Sequence, residues 1–271
     1  MQDSRIAQAG LVLLGCGKMG SAMLEGWLAR GLPESSVWVV DPLPSDWLRA
    51  SGVHLNAELP ASPAVVLVAV KPQMMAEALP QLRSMGQGET VFVSVAAGIT
   101  LHYFEGILGA GTPIVRAMPN TPAAISKGIT AIVGNSSTGE AALDEAEVLL
   151  RAVGDVVRLD EEALIDAVTG LSGSGPAYVF HLIETMAAAG VAEGLPEDLA
   201  LRLATATVAG AGALAEGSDQ PPGVLRQNVT SPNGTTQVAL DVLMDPECGL
   251  PPLMKDTVKA ATNRSRELAG G

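Results

Sequence analysis

The chain has 271 residues, 48% of them hydrophobic, which is enough for two modest domains with a sizeable core. Aromatic residues make up only 3% while glycine numbers 30, so that core must rely on aliphatic and small side chains. The formal net charge of −13 argues against nucleic acid as a partner, because phosphate neutralisation needs clustered cations. The charge is uneven: residues 1–135 carry eight Lys/Arg against nine Asp/Glu, so the first half is the part suited to an anionic ligand.

Leu11–Leu14 is an apolar run that ends in glycine. It predicts a strand, and Met19 to Arg30 predicts the helix after it, with Met19, Ala22, Met23, Gly26 and Trp27 on one face. Gly31 and Pro33 stop that helix. Between strand and helix stands Gly15-Cys16-Gly17-Lys18-Met19-Gly20. In this context Gly-x-Gly-x-x-Gly predicts a dinucleotide cradle. The first glycine permits a tight turn and the second lets the backbone approach a pyrophosphate. The third lets helix and strand pack closely, and the helix N-terminus faces the anion. The alternative is an ordinary glycine-rich turn.

Val37–Val40, Val65–Val70, Val91–Val95 and Ile114–Ala117 repeat the apolar theme, and Ile129–Val133 adds a further candidate. Nearly continuous apolar strands alternating with helices predict a parallel α/β sheet covered on both faces. Asp41 ends the second run, 21 positions after Gly20. A carboxylate there suits ribose hydroxyls and repels a 2′-phosphate, favouring NADH over NADPH; the competing role is a turn-forming Asp before Pro42. Val70-Lys71-Pro72, Ala96-Ala97-Gly98 and Asn120-Thr121-Pro122 follow later strands, at the sheet edge where ligands bind. Pro72 holds Lys71 extended, as a backbone wall for the cofactor or as a solvated turn residue.

From about residue 160 the strand signals vanish. Asp160 reads as an N-cap, and Glu161 and Glu162 suit a helix N-terminus. Ala-rich helical patterns run on to the end, and Ala206, Gly210 and Ala213 offer a stripe for close helix packing. Domains are expected at 1–158 and 159–271. Leu171 to Tyr178 interrupts the helical pattern with Ser172-Gly173-Ser174-Gly175-Pro176, either a close ligand approach or a helix break. Thr230-Ser231-Pro232-Asn233-Gly234-Thr235-Thr236 leads into a helix. Free amides and hydroxyls there suit a carboxylate; the alternative is simple capping.

Cys16 and Cys248 form no disulfide framework or zinc spacing, and His54, His102 and His181 share no ligand spacing, so no metal site is expected. Residues 1–10 lack the form of a signal peptide. The apolar stretch Leu199–Ala215 contains Arg202 and is short for a membrane span. The expectation is a cytoplasmic protein with no membrane partner.

Taken together these motifs resemble the pyrroline-5-carboxylate reductase family nearly end to end. The resemblance rests on the glycine turn, Val68 to Pro72, Ser94 to Gly98, Arg116 to Pro122, Asp166 to Tyr178 and Val229 to Thr236. It implies a Rossmann-type α/β domain followed by an all-α dimerisation domain, interleaved in a homodimer or a ring of dimers with active sites at the interface. It implies NADPH or NADH as cofactor and 1-pyrroline-5-carboxylate as substrate, reduced to L-proline. The segment matching Val229 to Thr236, with Ser231, Gly234 and Thr235, then grips the substrate carboxylate. The Thr236 hydroxyl lies near the ring nitrogen, and Ser174, Gly175 and Pro176 line the same pocket. Asn233 stands where the family commonly has glycine, and Asp41-Pro42 where many members carry small polar or basic residues that accept NADPH. Two rival functions remain, a β-hydroxyacid dehydrogenase and a non-catalytic NAD(P)-sensing protein.

Overall fold

The computed structural model describes residues 4–269. Of these, 4–173 and 261–269 form one compact unit and Ser174–Ala260 the other.

The first unit opens with α1 (Arg5–Ala9), β1 (Leu11–Leu14), α2 (Lys18–Ala29), β2 (Val37–Val40), α3 (Asp46–Ala50), β3 (His54–Leu55) and β4 (Val65–Val68). It continues through α4 (Met75–Ala78), β5 (Val91–Ser94), α5 (Leu101–Leu108), β6 (Ile114–Met118), β7 (Gly128–Gly134), α6 (Glu140–Leu150) and β8 (Gly154–Arg158). The strands form one sheet in the order β3-β2-β1-β4-β5-β6-β7-β8. Every residue of β1, β4 and β5 is buried, as strands covered on both faces require. Alternate side chains feed two cores. Leu11, Leu13, Val65 and Leu67 pack with Met23, Leu24 and Trp27 of α2. Val12, Val66 and Phe92 pack with Leu79, Phe104 and Leu108 on the other side.

The predicted strands all form, with β4 and β5 stopping at Val68 and Ser94 rather than Val70 and Val95. The sheet is not wholly parallel, because β7 runs antiparallel to β6. A parallel partner needs a crossover of a dozen or more residues. Here only the short segment around a 3-10 turn at Thr121–Ile125 joins them. β3 and β8 lack a continuous apolar run and are not foreseen. The buried face of α2 is Gly20, Met23, Leu24 and Trp27, one position round from the predicted stripe.

The expected cap at Asp160 does not form. A 3-10 turn at Glu162–Leu164 follows Glu161 with no side-chain cap. Glu162 serves a different helix: its Oε1 accepts the Leu101 N–H at the start of α5 and pairs with buried Arg116 at 2.6 Å. α7 (Ile165–Val168) then widens into a π-helical turn at Thr169–Gly173. The Thr169 and Ser172 hydroxyls donate to the Ile165 and Val168 carbonyls. The predicted interruption is thus a widened turn rather than a break, a form common at functional sites.

In the second unit lie α8 (Gly175–Ala192), α9 (Glu197–Glu216), α10 (Pro222–Asn228), α11 (Thr235–Leu243) and the start of α12 (Leu250–Ala269). α8 packs on α9. They approach closely at Gly190, where a Cβ would stand 3.2 Å from Leu195 Cδ1 and 3.4 Å from Ala200 Cβ. The expected stripe of Ala206, Gly210 and Ala213 is exposed instead. α9 runs 20 residues and is long and apolar enough to cross a membrane, although the residues it adds to Leu199–Ala215 are the acidic Glu197, Asp198 and Glu216. α8 and α11 bury none of their residues although both are rich in apolar side chains.

Candidate active site

β1 ends at Leu14 and the chain turns at Gly15, whose φ of +88° favours glycine. A Cβ there would meet Val70 Cγ1 at 2.9 Å and the Ala69 carbonyl at 3.0 Å, so the turn lies directly against the end of β4. Gly20, in the first turn of α2, would bring a Cβ to 2.5 Å from the Gly15 carbonyl oxygen. Only glycine lets helix and turn close on each other. Gly17 differs: a Cβ would meet nothing within 4 Å, so its face opens outward. Gly17 is also the N-cap of α2 and no side chain caps it. The first N–H groups of α2, including those of Lys18 and Met19, are therefore left for an anion. This cradle fits a dinucleotide pyrophosphate.

Cys16 is buried within the turn, and burial pushes its thiol pKa up, partly offset by the Ser21 hydroxyl 3.5 Å away. Ser21 also donates to the Cys16 carbonyl at 3.0 Å, so its role is to shape the turn.

Asp41 follows β2 and is half-buried. Its Oδ2 accepts the Cys16 N–H at 2.7 Å, and its Oδ1 accepts the Leu43 N–H at 2.8 Å. The second bond is the local turn anticipated before Pro42; the first ties β2 to the glycine turn. Asn56 holds the Asp41 backbone from both sides, accepting its N–H and donating to its carbonyl, each at 2.9 Å. Sequence patterns do not single out Asn56, and only its left-handed φ of +50° marks it once the backbone is known. Beside Asp41, at the carboxyl ends of β1, β2 and β4, lies a cavity of about 310 Å³. Leu14, Val40, Pro42 and Val70 form apolar walls, with Asn56, Glu77 and Gln81 as polar groups. In an open α/β sheet this crevice, where the strand order reverses beside β1, is where ligands bind.

Further along the same edge, Lys71 is exposed and extended, with φ −63° and ψ 147°, as Pro72 requires. Ala96 is buried, Ala97 is exposed, and Gly98 turns at φ +77°. Asn120 is buried; its Nδ2 donates to the Ser172 carbonyl and its Oδ1 accepts the Ile129 N–H. Its carboxamide thus joins the start of β7 to the π-helical turn.

In the second unit, Ser174, Gly175 and Pro176 open α8, and Ser174 is an N-cap without a side-chain bond. Thr235 and Thr236 are the first residues of α11. Its N-cap is Gly234, with no side-chain cap, so simple capping does not account for these hydroxyls. Thr230 donates to the Arg226 carbonyl. Among the described residues the Ser231, Thr235 and Thr236 hydroxyls take no hydrogen-bond partner. A side chain at Gly234 would collide with Ser231 Oγ. Asn233 supplies the left-handed step at φ +58°, which Asn tolerates, so the turn survives without glycine there. Val229 is exposed beside it.

Sheet order, glycine turn and uncapped α2 define a Rossmann-type dinucleotide-binding protein. Residues 10–98 match the family described as NADP oxidoreductase, coenzyme F420-dependent, and residues 162–268 match pyrroline-5-carboxylate reductase dimerisation. The pyrroline-5-carboxylate reductase of Pseudomonas aeruginosa is 39% identical over 265 residues, 96% of each chain. The chain belongs to the pyrroline-5-carboxylate reductase family. A solved reductase of this kind from Coxiella burnetii aligns with TM-score 0.90 at 33% identity, covering 96% of this chain and 98% of that one. One from Plasmodium falciparum, solved with NADP bound, aligns with TM-score 0.83 at 25% identity, covering 97% and 99%.

Proposed function

We infer that this chain reduces 1-pyrroline-5-carboxylate to L-proline with NADH or NADPH, the last step of proline synthesis. The observation that carries the substrate assignment is the uncapped start of α11, where the Ser231, Thr235 and Thr236 hydroxyls stand beside the first amides of the helix. That is a receptor for a small carboxylate. Ser231, Gly234 and Thr235 hold the carboxylate, and Gly175, Pro176 and Val229 line the ring. A reduced nicotinamide, when bound, would supply a hydride to C5 of the protonated imine. The electron pair of the C=N bond collapses onto a nitrogen that already carries its proton, so the nitrogen needs no further acid from the protein during the transfer. Thr236, helped by Ser174, steadies that nitrogen. Gly15, Cys16, Gly17, Lys18, Met19 and Gly20 hold the pyrophosphate, Asp41 the ribose, and Val70, Lys71, Pro72, Ala96, Ala97, Gly98 and Asn120 the remainder. Catalysis is then mainly positioning, which supplies on the order of 7–11 kcal/mol in well-oriented reactions.

A β-hydroxyacid dehydrogenase needs a lysine in its helical domain to handle the alcohol proton. Here the only lysines beyond residue 158 are Lys255 and Lys259, both on α12. A non-catalytic sensor has no use for the α11 start. The two rivals separate in one assay. Cofactor oxidation is expected with pyrroline-5-carboxylate, and no cofactor reduction with a 3-hydroxy acid. The reverse pattern selects the dehydrogenase, and silence in both selects the sensor.

The helical half is a dimerisation domain by family. Self-association as a homodimer or a ring of dimers gives cover to the exposed apolar faces of α8, α9 and α11. The cytoplasm suits such an enzyme, with neither a membrane nor nucleic acid as partner.

A further inference from the structure

In this fold a carboxylate after the second strand is placed to meet the adenosine ribose. Both oxygens of Asp41 are anchored, one by the Cys16 N–H and one by the Leu43 N–H. The backbone beneath them is fixed by the two bonds from Asn56. Asn56 is itself pinned, its N–H donating to the Val39 carbonyl at 2.8 Å. The carboxylate therefore cannot swing aside without breaking bonds at the glycine turn. Each oxygen still has a lone pair for a ribose hydroxyl. The adjoining cavity adds Glu77 and no cation among its lining residues. A 2′-phosphate entering here faces two carboxylates and no Lys or Arg from the cavity wall.

We propose that Asp41, held in place by Asn56, makes this chain select the dinucleotide that lacks a 2′-phosphate, so that NADH is its reductant. The reaction it serves rests on the reductase assignment above; the binding preference rests on the first unit alone. Asn56 is a positioning residue in this scheme, acting through Asp41. Glu77 is a second, weaker source of repulsion, being exposed and better screened.

Calorimetric titration of the full-length protein with NAD⁺ and with NADP⁺ tests this directly. NAD⁺ is expected to bind at least about tenfold more tightly. Asn56→Ala is expected to shrink that ratio about three- to tenfold, chiefly by improving NADP⁺ binding, since without the two Asn56 bonds the Asp41 backbone can shift and draw the carboxylate back. Glu77→Gln, which leaves the glycine turn untouched, is expected to shrink it about two- to threefold. Equal or tighter binding of NADP⁺ by the natural chain overturns the proposal. An unchanged ratio in Asn56→Ala removes Asn56 from it. Pyrroline-5-carboxylate turnover is measured with both reductants in parallel. Turnover with neither one overturns the reductase assignment and leaves the binding ratio to decide this proposal by itself.

Discussion

Gly20→Ala is expected to weaken dinucleotide binding on the order of 10–100-fold. The added Cβ lands 2.5 Å from the Gly15 carbonyl oxygen, and that neighbour is backbone, not a flexible side-chain tip. Overpacking of this kind costs about 1–3 kcal/mol. Relief requires α2 to withdraw from the turn, and withdrawal splays the N–H groups that Gly17 leaves uncapped. The turn cannot retreat instead, because Gly15 already lies against Ala69 and Val70 and donates its N–H to the Val40 carbonyl. Gly17→Ala is the control. It meets no protein atom and has an ordinary φ of −71°, so the fold should be unaffected while the methyl intrudes where the pyrophosphate lies. Binding measured by calorimetry, with melting temperature alongside, separates the two. Gly20→Ala lowers both affinity and melting temperature; Gly17→Ala lowers affinity alone. Unchanged affinity in both variants would place the dinucleotide elsewhere.

Thr236→Ala is expected to lower kcat for imine reduction about 10–100-fold, with KM changed much less. A hydrogen bond to a charged partner contributes about 1.5–3 kcal/mol, which sets that range. Thr236 sits on the first turn of α11, where rigid helix geometry fixes its hydroxyl and no capping bond competes for it. Thr236→Ser keeps the hydroxyl and should restore most of the rate. A rise in KM alone would assign Thr236 to carboxylate binding, and unchanged constants would remove it from the mechanism.

The dinucleotide half is legible in the sequence because its signals are local. Glycines at fixed spacing between an apolar run and a helical pattern specify the turn, and β1 and β4 announce themselves by being apolar throughout. Other features depend on contacts between distant residues. Arg116 and Glu162 are 46 positions apart, and nothing local shows that Glu162 caps α5 rather than its own helix. Asn56 reaches Asp41 across 15 positions and carries no pattern. The antiparallel β7 follows from loop length, a weaker signal than composition. In the helical half, a largely apolar helix such as α8 does not reveal which face meets its own chain. The small-residue stripe on α9 therefore reads as a packing face, while the close approach is at Gly190.

Direct hydride transfer to C5 of a cyclic imine held by its carboxylate is the step we propose for this chain. Its most direct test is isotopic. The full-length enzyme is supplied with pyrroline-5-carboxylate and reduced nicotinamide dinucleotide deuterated at the transferring position of C4, and the proline formed is examined by mass spectrometry and NMR. Proline carrying one deuterium, at C5, on a single face is the expected result. Proline without deuterium, or no proline while the protein still binds the dinucleotide, would contradict it.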